Sequence, residues 1–440
     1  MNILKQKFNS IAKDRITELN DFVAKNSDVV VDSVTVGHIA KGMRDVLSLI
    51  TETSLLDPNN GIEFHGLSIS DLYDRLPKTK INSNEPTPEL LLYLLLITEM
   101  PSGEDVDQIS DLLHKQQDVP GYVYDAIKSV PKNNPMTQLM VAISSLQTQS
   151  KFSQAYLDKV SKSEYWSYTL DDSIDLLANL PQIVSYIYHY NYTDAKVPDS
   201  DSSLDWAGNL AYLLGDKDSD NKSLMKEFMR LYCSLHSDHE GANASAFTAH
   251  VCGSTLANPY ASMTAALCSL SGPLHGMATQ TALDWISKLS KEFNDSVPTP
   301  DQTESYITNT LAQKQVVPGY GHAVLRITDP RFTAQLNFAQ KHNLHSTLLD
   351  TVRVTYDVAP KVLGSIGKIK NPFPNVDGCS GALLNYFGFK NSEFYPVLFG
   401  LSRALGITSQ LIWSRALSTP IFRPKSADLK LLSNVTNKGK

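Results

Sequence analysis

Apolar residues recur three and four positions apart along most of this chain, the spacing that gathers them on one face of a helix. The pattern predicts helices over 89–100, 103–115, 133–149, 170–189, 224–237, 259–271, 277–292 and 331–341. Ser102, Ser271 and Thr328 stand near their starts or breaks, and Pro or Gly separates many of the segments. Strand signals are few: residues 29–36 are β-branched and read as a short strand or extended segment. Ile3, Leu4, Phe8, Ile11, Ile16 and Leu19 keep a helical period that includes Asp14 and Glu18, so this stretch reads as a folded surface helix rather than an arginine-rich transit peptide. The expectation is an all-α fold, without tandem repeats and without the Gly-rich strand–turn–helix element of a dinucleotide-binding fold. Polar stretches at 79–88, 193–205, 215–223 and 292–305 read as exposed connections. Residues 257–274, rich in Ala, Ser, Met and Gly, suit either a buried helix pair or a subunit interface.

Composition narrows the class. With 440 residues, 42% of them hydrophobic, the chain can bury the cores of two or more domains. A formal charge of −7 gives no general electrostatic reason for a nucleic-acid partner, although local basic groups can still hold a small anion. The longest apolar run, residues 90–97, is far short of a membrane span. Cysteines at 233, 252, 268 and 379 are too sparse for a disulfide framework and are not spaced as thiolate metal ligands, which fits a reducing compartment.

Histidine is concentrated where chemistry would be. Five of the eleven fall between positions 236 and 322, and His239, His275 and His322 sit in contexts broken by Gly or Pro: His239-Glu240-Gly241, Gly272-Pro273-Leu274-His275-Gly276 and Pro318-Gly319-Tyr320-Gly321-His322. Rings at helix ends and turns can face a cleft, and imidazole is the side chain whose charge is easiest to switch near neutral pH. His236, His239 and Glu240 lack the His-Glu-x-x-His order of a zinc helix, so no metal site is expected. Arg331, Arg403 and Arg423 lie in three separate contexts. A buried arginine binds a planar carboxylate in two-pronged fashion, whereas most arginines simply make surface ion pairs. Gly319 to Gly321 and the basic stretch Lys368-Ile369-Lys370-Asn371 could cradle a phosphate, though neither is specific alone.

The stretches 236–276, 316–331, 371–381 and 395–425 closely resemble the citrate synthase family. Gly42-Met43-Arg44, Glu52-Thr53-Ser54-x-Leu56-Asp57-Pro58-x-x-Gly61-Ile62 and Lys162-x-Glu164-Tyr165-Trp166-Ser167-Tyr168 look like its eukaryotic mitochondrial branch, and the resemblance spans essentially the whole chain. It implies a large helical domain, residues 1–277 and 389–440, with a small helical domain inserted at 278–388. It implies condensation of acetyl-CoA with oxaloacetate followed by hydrolysis to citrate and CoA, in a homodimer with shared active sites and no tightly bound cofactor. The family's catalytic trio carries over to His275, His322 and Asp377. Its oxaloacetate-binding residues carry over to His239, Arg331, Arg403 and Arg423, the last reaching across the dimer. Acetyl-CoA recognition maps to Leu274, Val316, Val317, Gly319, Tyr320, Gly321, Ala323, Lys368, Lys370 and Asn375, with Ser245 orienting His275.

Some positions depart from the family pattern. Cys379 and Phe247 stand where histidines are usual, Asp45 where Gly is, and His65 where Arg is. Arginines that help hold CoA phosphates are replaced by Val23 and Gln154, with Lys151 the nearby substitute. The alternatives in view are a 2-methylcitrate synthase using propionyl-CoA and a structural, filament-forming or assembly-docking relative. The family branch favours the mitochondrial matrix. The lack of a leader in the quoted chain fits either a mature end or a cytoplasmic protein, and residues 437–440 do not form a peroxisomal tripeptide.

Overall fold

The apolar run at residues 90–97 becomes a helix buried along its whole length, capped by Thr87 and opened by Pro88. The computed structural model describes residues 3–215, 222–367 and 369–438. Among them run α1 (Ile3–Asn26), α2 (Val36–Ala40), α3 (Ile69–Asp74), α4 (Pro88–Ile97), α5 (Gly103–Lys115), α6 (Gly121–Ser129) and α7 (Pro135–Ser145). Next come α8 (Lys151–Leu157), α9 (Tyr165–Tyr192), α10 (Trp206–Leu213), α11 (Lys222–Leu235), α12 (Ala244–Ser254) and α13 (Pro259–Leu270). Five more, α14 (Ala278–Glu292), α15 (Pro300–Ala312), α16 (Pro330–Lys341), α17 (Thr347–Ser365) and α18 (Asp377–Tyr386), pack chiefly on one another. The last two are α19 (Tyr395–Ala416) and α20 (Leu429–Lys438). The fold is all-α apart from one small antiparallel sheet, β1 (Ser54–Asp57), β2 (Gly61–Phe64) and β3 (Leu67–Ser68).

The core is built around α19, which is buried along nearly its whole length and packs on α9, α4, α12, α13 and α11. Trp413 of α19 donates its indole N–H to the Leu95 carbonyl at 2.9 Å, and its ring meets Phe8 of α1, which also packs on Trp166. The α14–α18 group meets the remainder mainly through α16, against α11 and α3.

Three local expectations change. Residues 29–36 form no strand: Val29, Val30, Val31 and Val34 are exposed, and Val36 opens α2. Their β-branched side chains favour extended backbone, but a strand also needs a partner edge. Ser271 marks the break after α13 as its C-cap, and Thr328 lies directly before Asp329, the N-cap of α16, so both stand near a helix start or break as read. The polar stretch 79–88 turns inward at Glu85, and the stretch 292–305 ends inside α15. Most of 215–223 lies outside the described residues.

Candidate active site

Each candidate side chain sits at a helix end or turn that the local sequence fixes. His239 follows α11. Asn243, the N-cap of α12, donates its amide to the carbonyls of His239 and Glu240 at 2.8 and 2.7 Å, pinning the turn. His275 ends the turn after α13, where the Gly276 N–H returns to the Leu270 carbonyl at 2.9 Å. Only glycine fits there, since a Cβ would lie 2.2 Å from that carbonyl oxygen. His275 Nε2 is 2.9 Å from the Ser245 hydroxyl, which also reaches Asn243 Oδ1 at 2.9 Å. His322 Nδ1 accepts the N–H groups of Val324 and Leu325 at 3.0 and 3.2 Å, so the neutral ring carries its proton on Nε2.

Asp377 opens α18, where the helix dipole favours a carboxylate, and accepts a short hydrogen bond from Thr279 of α14. The loop before it is zipped to residues 317–321: Tyr320 bridges Pro374, the Gly321 N–H donates to Phe373 O at 2.9 Å, and the Asn375 amide donates to Gly321 O at 3.0 Å. Gly319 takes φ +78° and leaves no room for a Cβ, which would lie 2.8 Å from the Gly378 Cα. Arg331, in the first turn of α16, makes a two-pronged pair with buried Asp329 at 3.1 and 2.8 Å. Arg403, on α19 and 2% exposed, donates Nε–H to the His236 carbonyl at 3.0 Å and lies over the Phe399 ring.

These groups share one electrostatic neighbourhood. Burial, then Arg403, holds His275 down to about 4. Burial followed by Arg331 and Arg403 holds His239 well below the ordinary histidine range, and burial followed by Arg331 lowers His322. The His239 and His322 rings are 5.9 Å apart. Burial raises the Asp377 carboxyl, against the pull of Thr279, Arg331 and Arg403. The cleft therefore presents neutral imidazoles, two guanidiniums and one carboxyl with raised proton affinity. Such a set can hold a dianion, donate hydrogen bonds without carrying imidazolium charge, and abstract a proton.

A family model described as "Citrate synthase, C-terminal domain" matches residues 42–425. The chain is 43% identical over 440 residues to the peroxisomal citrate synthase of Saccharomyces cerevisiae, covering 99% of this chain and 94% of that protein. It is 47% identical over 398 residues to the mitochondrial citrate synthase of Citrus maxima, covering 90% and 83%. The chain belongs to the citrate synthase family. Among solved structures, the citrate synthase of Pyrobaculum aerophilum superposes with a TM-score of 0.76 at 24% identity, over 88% of this chain and 92% of that one. The Thermoplasma acidophilum citrate synthase, solved with carboxymethyl coenzyme A and oxaloacetate, gives 0.72 at 22% identity over 89% and 96%. At these identities the two structures establish the fold.

Against that family, the structure brings His239, His275, His322, Arg331, Arg403 and Asp377 together. Arg423 stands apart: it is exposed after α19 and lines another cavity with Val23, His250 and Gln410. Of the acetyl-CoA candidates, Leu274, Val316, Ala323 and Lys370 are exposed and Val317 is buried. Lys368 lies outside the described residues. Lys151 is engaged by Asp175 at 2.6 Å and so does not replace an arginine as an unpaired cation, and Gln154, which carries no charge, bonds Asp158. Phe247 packs edge-on against Phe422, beside Arg423, where a histidine could not make the same apolar contact. Burial pushes the Cys379 thiol up to about 12. The sequence reading missed Thr279, Asp329 and Phe399 as site residues. Only Asp329 had a local sign, its place before Pro330-Arg331.

No group of three or more His, Cys, Asp or Glu among the described residues is arranged to hold a metal ion. No helix among them is long and apolar enough to cross a membrane.

Proposed function

We propose that this chain condenses acetyl-CoA with oxaloacetate and hydrolyses the citryl thioester to citrate and CoA. The observation that carries this reading is the buried carboxyl of Asp377 beside neutral imidazoles and two guanidiniums. Arg331, Arg403 and His239 bind the oxaloacetate carboxylates, and His322 Nε2–H polarises its ketone. Asp377 removes a proton from the thioester methyl group. For this step the Ser245 hydroxyl turns its single proton from Asn243 Oδ1 to Nε2 of His275, 2.9 Å away, which leaves Nδ1–H to stabilise the enol or enolate oxygen without a charged ring. The new carbon–carbon bond forms at the ketone carbon, His322 protonates the alkoxide, and water then attacks the thioester carbonyl to expel CoA.

Residues 278–388 act as a small domain that closes on the rest once oxaloacetate is bound, excluding water until the bond has formed. The self-packed α14–α18 group supports this division. The working unit is a homodimer in which Arg423 enters the partner's site, and its separation from the other ligands within one chain supports that reading. Acetyl-CoA is held by the 316–323 loop, Leu274, Lys368, Lys370 and Asn375, as substrate rather than resident cofactor. Relatives named mitochondrial and peroxisomal are both similar to this chain, and we place the enzyme in the mitochondrial matrix with the larger group.

Initial rates with oxaloacetate and either acetyl-CoA or propionyl-CoA test the proposal. Acetyl-CoA should be preferred at equal concentration. A preference for propionyl-CoA would reassign the enzyme to 2-methylcitrate formation, and no thioester-dependent turnover would reject the reading.

A further inference from the structure

The β1–β2 hairpin touches both walls of the cleft. On the α11–α12 side, Thr53 and Ser54 donate their hydroxyls to one oxygen of buried Asp238 at 2.6 and 2.8 Å, and Gln410 of α19 donates to the other at 2.7 Å. Ser54 Oγ also accepts the Glu240 N–H at 2.9 Å, and the Leu56 N–H meets the Glu240 carboxylate. Glu240 holds φ +50°, a left-handed conformation that a non-glycine residue keeps only when its surroundings impose it. His239 lies between these two anchored residues.

At its other end the hairpin meets the segment that joins His322 to Arg331. The Pro58 carbonyl accepts the Arg326 N–H at 2.8 Å. Gly61 is pressed against Pro330, the residue before Arg331, so closely that a Cβ would lie 2.6 Å from the proline ring. Between the two ends the strands are in continuous register, from Ser54 opposite Phe64 to Asp57 opposite Gly61. Ile62 and Phe64 are fully buried, so the hairpin is seated in the core rather than loose on the surface.

We propose that this hairpin is a positioning element for oxaloacetate: a stop that sets the spacing reached between His239 on one wall and His322 and Arg331 on the other when residues 278–388 close. Ser54, bonded to the residues on either side of His239, and Gly61, against the residue before Arg331, are the contacts that a substitution can address at each end. The inference rests on the reading of His239, His322 and Arg331 as ligands of the dicarboxylate. A ligand held from both walls needs its donors placed within a fraction of an ångström, and a rigid two-stranded piece touching both can do that.

The test uses the full-length enzyme with Ser54→Ala, Ser54→Thr and Gly61→Ala, and follows calorimetric oxaloacetate binding, KM for each substrate, and melting. Ser54→Ala should weaken oxaloacetate binding about tenfold, as expected for lost hydrogen bonds to a carboxylate and a strained amide. KM for acetyl-CoA should stay within about twofold of the parent, the change expected where no ligand contact is touched. Ser54→Thr, which keeps the hydroxyl, should restore most of the loss. Gly61→Ala should give the same signature from the other end, and the double variant should lose less than the product of the two singles, because both disturb one stop. A Ser54→Ala enzyme that melts earlier but binds oxaloacetate like the parent overturns the proposal, whether or not Gly61→Ala folds. His239→Ala separates the two levels. If it too binds normally, the ligand assignment falls; if it loses binding while Ser54→Ala does not, only the stop falls.

Discussion

Arg403 should be a residue whose removal stabilises the empty enzyme while disabling it. Its guanidinium is 2% exposed and makes no ion pair among the described residues. Burial, opposed by Asp238 and reinforced by Arg331, brings it from 12.5 to about 10. At ~1.4 kcal/mol per pH unit, that fall is on the order of 3 kcal/mol against the charged form. Arg403→Met removes this cost and fills similar apolar space. The change forfeits the hydrogen bond to the His236 carbonyl, about 1 kcal/mol, and the cation–ring contact with Phe399, about 1 kcal/mol. The balance is a gain of about 1 kcal/mol in the ligand-free state, by the same bookkeeping. Oxaloacetate affinity should fall by a factor of about 100 or more, because a desolvated charge-assisted contact is lost. Thermal unfolding with and without oxaloacetate reads both effects. The variant should melt at or above the parent when empty and gain little from ligand. A variant that melts several degrees lower when empty, yet keeps the full ligand-induced rise, would refute the argument that Arg403 is an under-compensated charge awaiting a dianion.

Asp377→Asn should lower turnover by at least about a hundredfold with the protein still folded, and the parent's rate should decline as pH falls through the raised carboxyl value, where the base takes up its proton; a rate unchanged across that limb would count against Asp377 as base. Folded His236 lies at about 3 against an unfolded value near 6.5, so below pH 6.5 the unfolded chain binds a proton that the folded one refuses, and stability is lost. Denaturant titrations of His236→Asn should show a shallower decline between pH 6.5 and 4 than the parent, by up to ~1.4 kcal/mol per pH unit, and parallel curves would contradict this. Small-angle scattering should show compaction on adding oxaloacetate as residues 278–388 close, and identical profiles at saturation would reject closure. Refolding His275→Ala together with Arg423→Ala should restore roughly a quarter of parental activity through mixed dimers with one intact site; confirmed mixed dimers without recovery would place Arg423 in its own subunit's site.

Much of the helical frame was legible because its signals are local. The period over 103–115 and Ser102 together mark α5, whose Ser102–Asp105 capping box the structure contains. The run at 90–97 marks α4 in the same way. The sheet was not legible: its strands have four, four and two residues, too short to carry an alternation. Residues 29–36 carried the stronger strand composition, yet have no partner edge among the described residues. The same distinction runs through the site. His239, His275 and His322 were visible because turns need Gly, Pro or Asn beside them. Thr279 and Asp238 were not, because each acts on a residue far away in sequence from an ordinary helical or turn position; Phe399, one turn from Arg403 on α19, reads as ordinary helix core.

The charge arrangement also bears on the order of events. Asp329 satisfies Arg331 from within the protein, whereas Arg403 makes no ion pair among the described residues, so of the two Arg403 contributes the less compensated positive field. That field opposes the burial that raises Asp377, and Arg331 and Arg403 both pull the carboxyl down. On the proposed assignment, a bound dianion cancels much of this pull and leaves burial as the dominant influence. Asp377 then becomes a stronger base once oxaloacetate is in place, when a weakly acidic thioester methyl group must give up its proton. The acid limb measured with saturating oxaloacetate should therefore lie at higher pH than the titration of the same carboxyl in the ligand-free enzyme, followed by carbon-13 NMR. Coincident values would mean that the guanidiniums do not govern the base. A base that strengthens only in the presence of the acceptor leaves acetyl-CoA unactivated without it, and the protein needs no separate gate to prevent wasteful thioester chemistry.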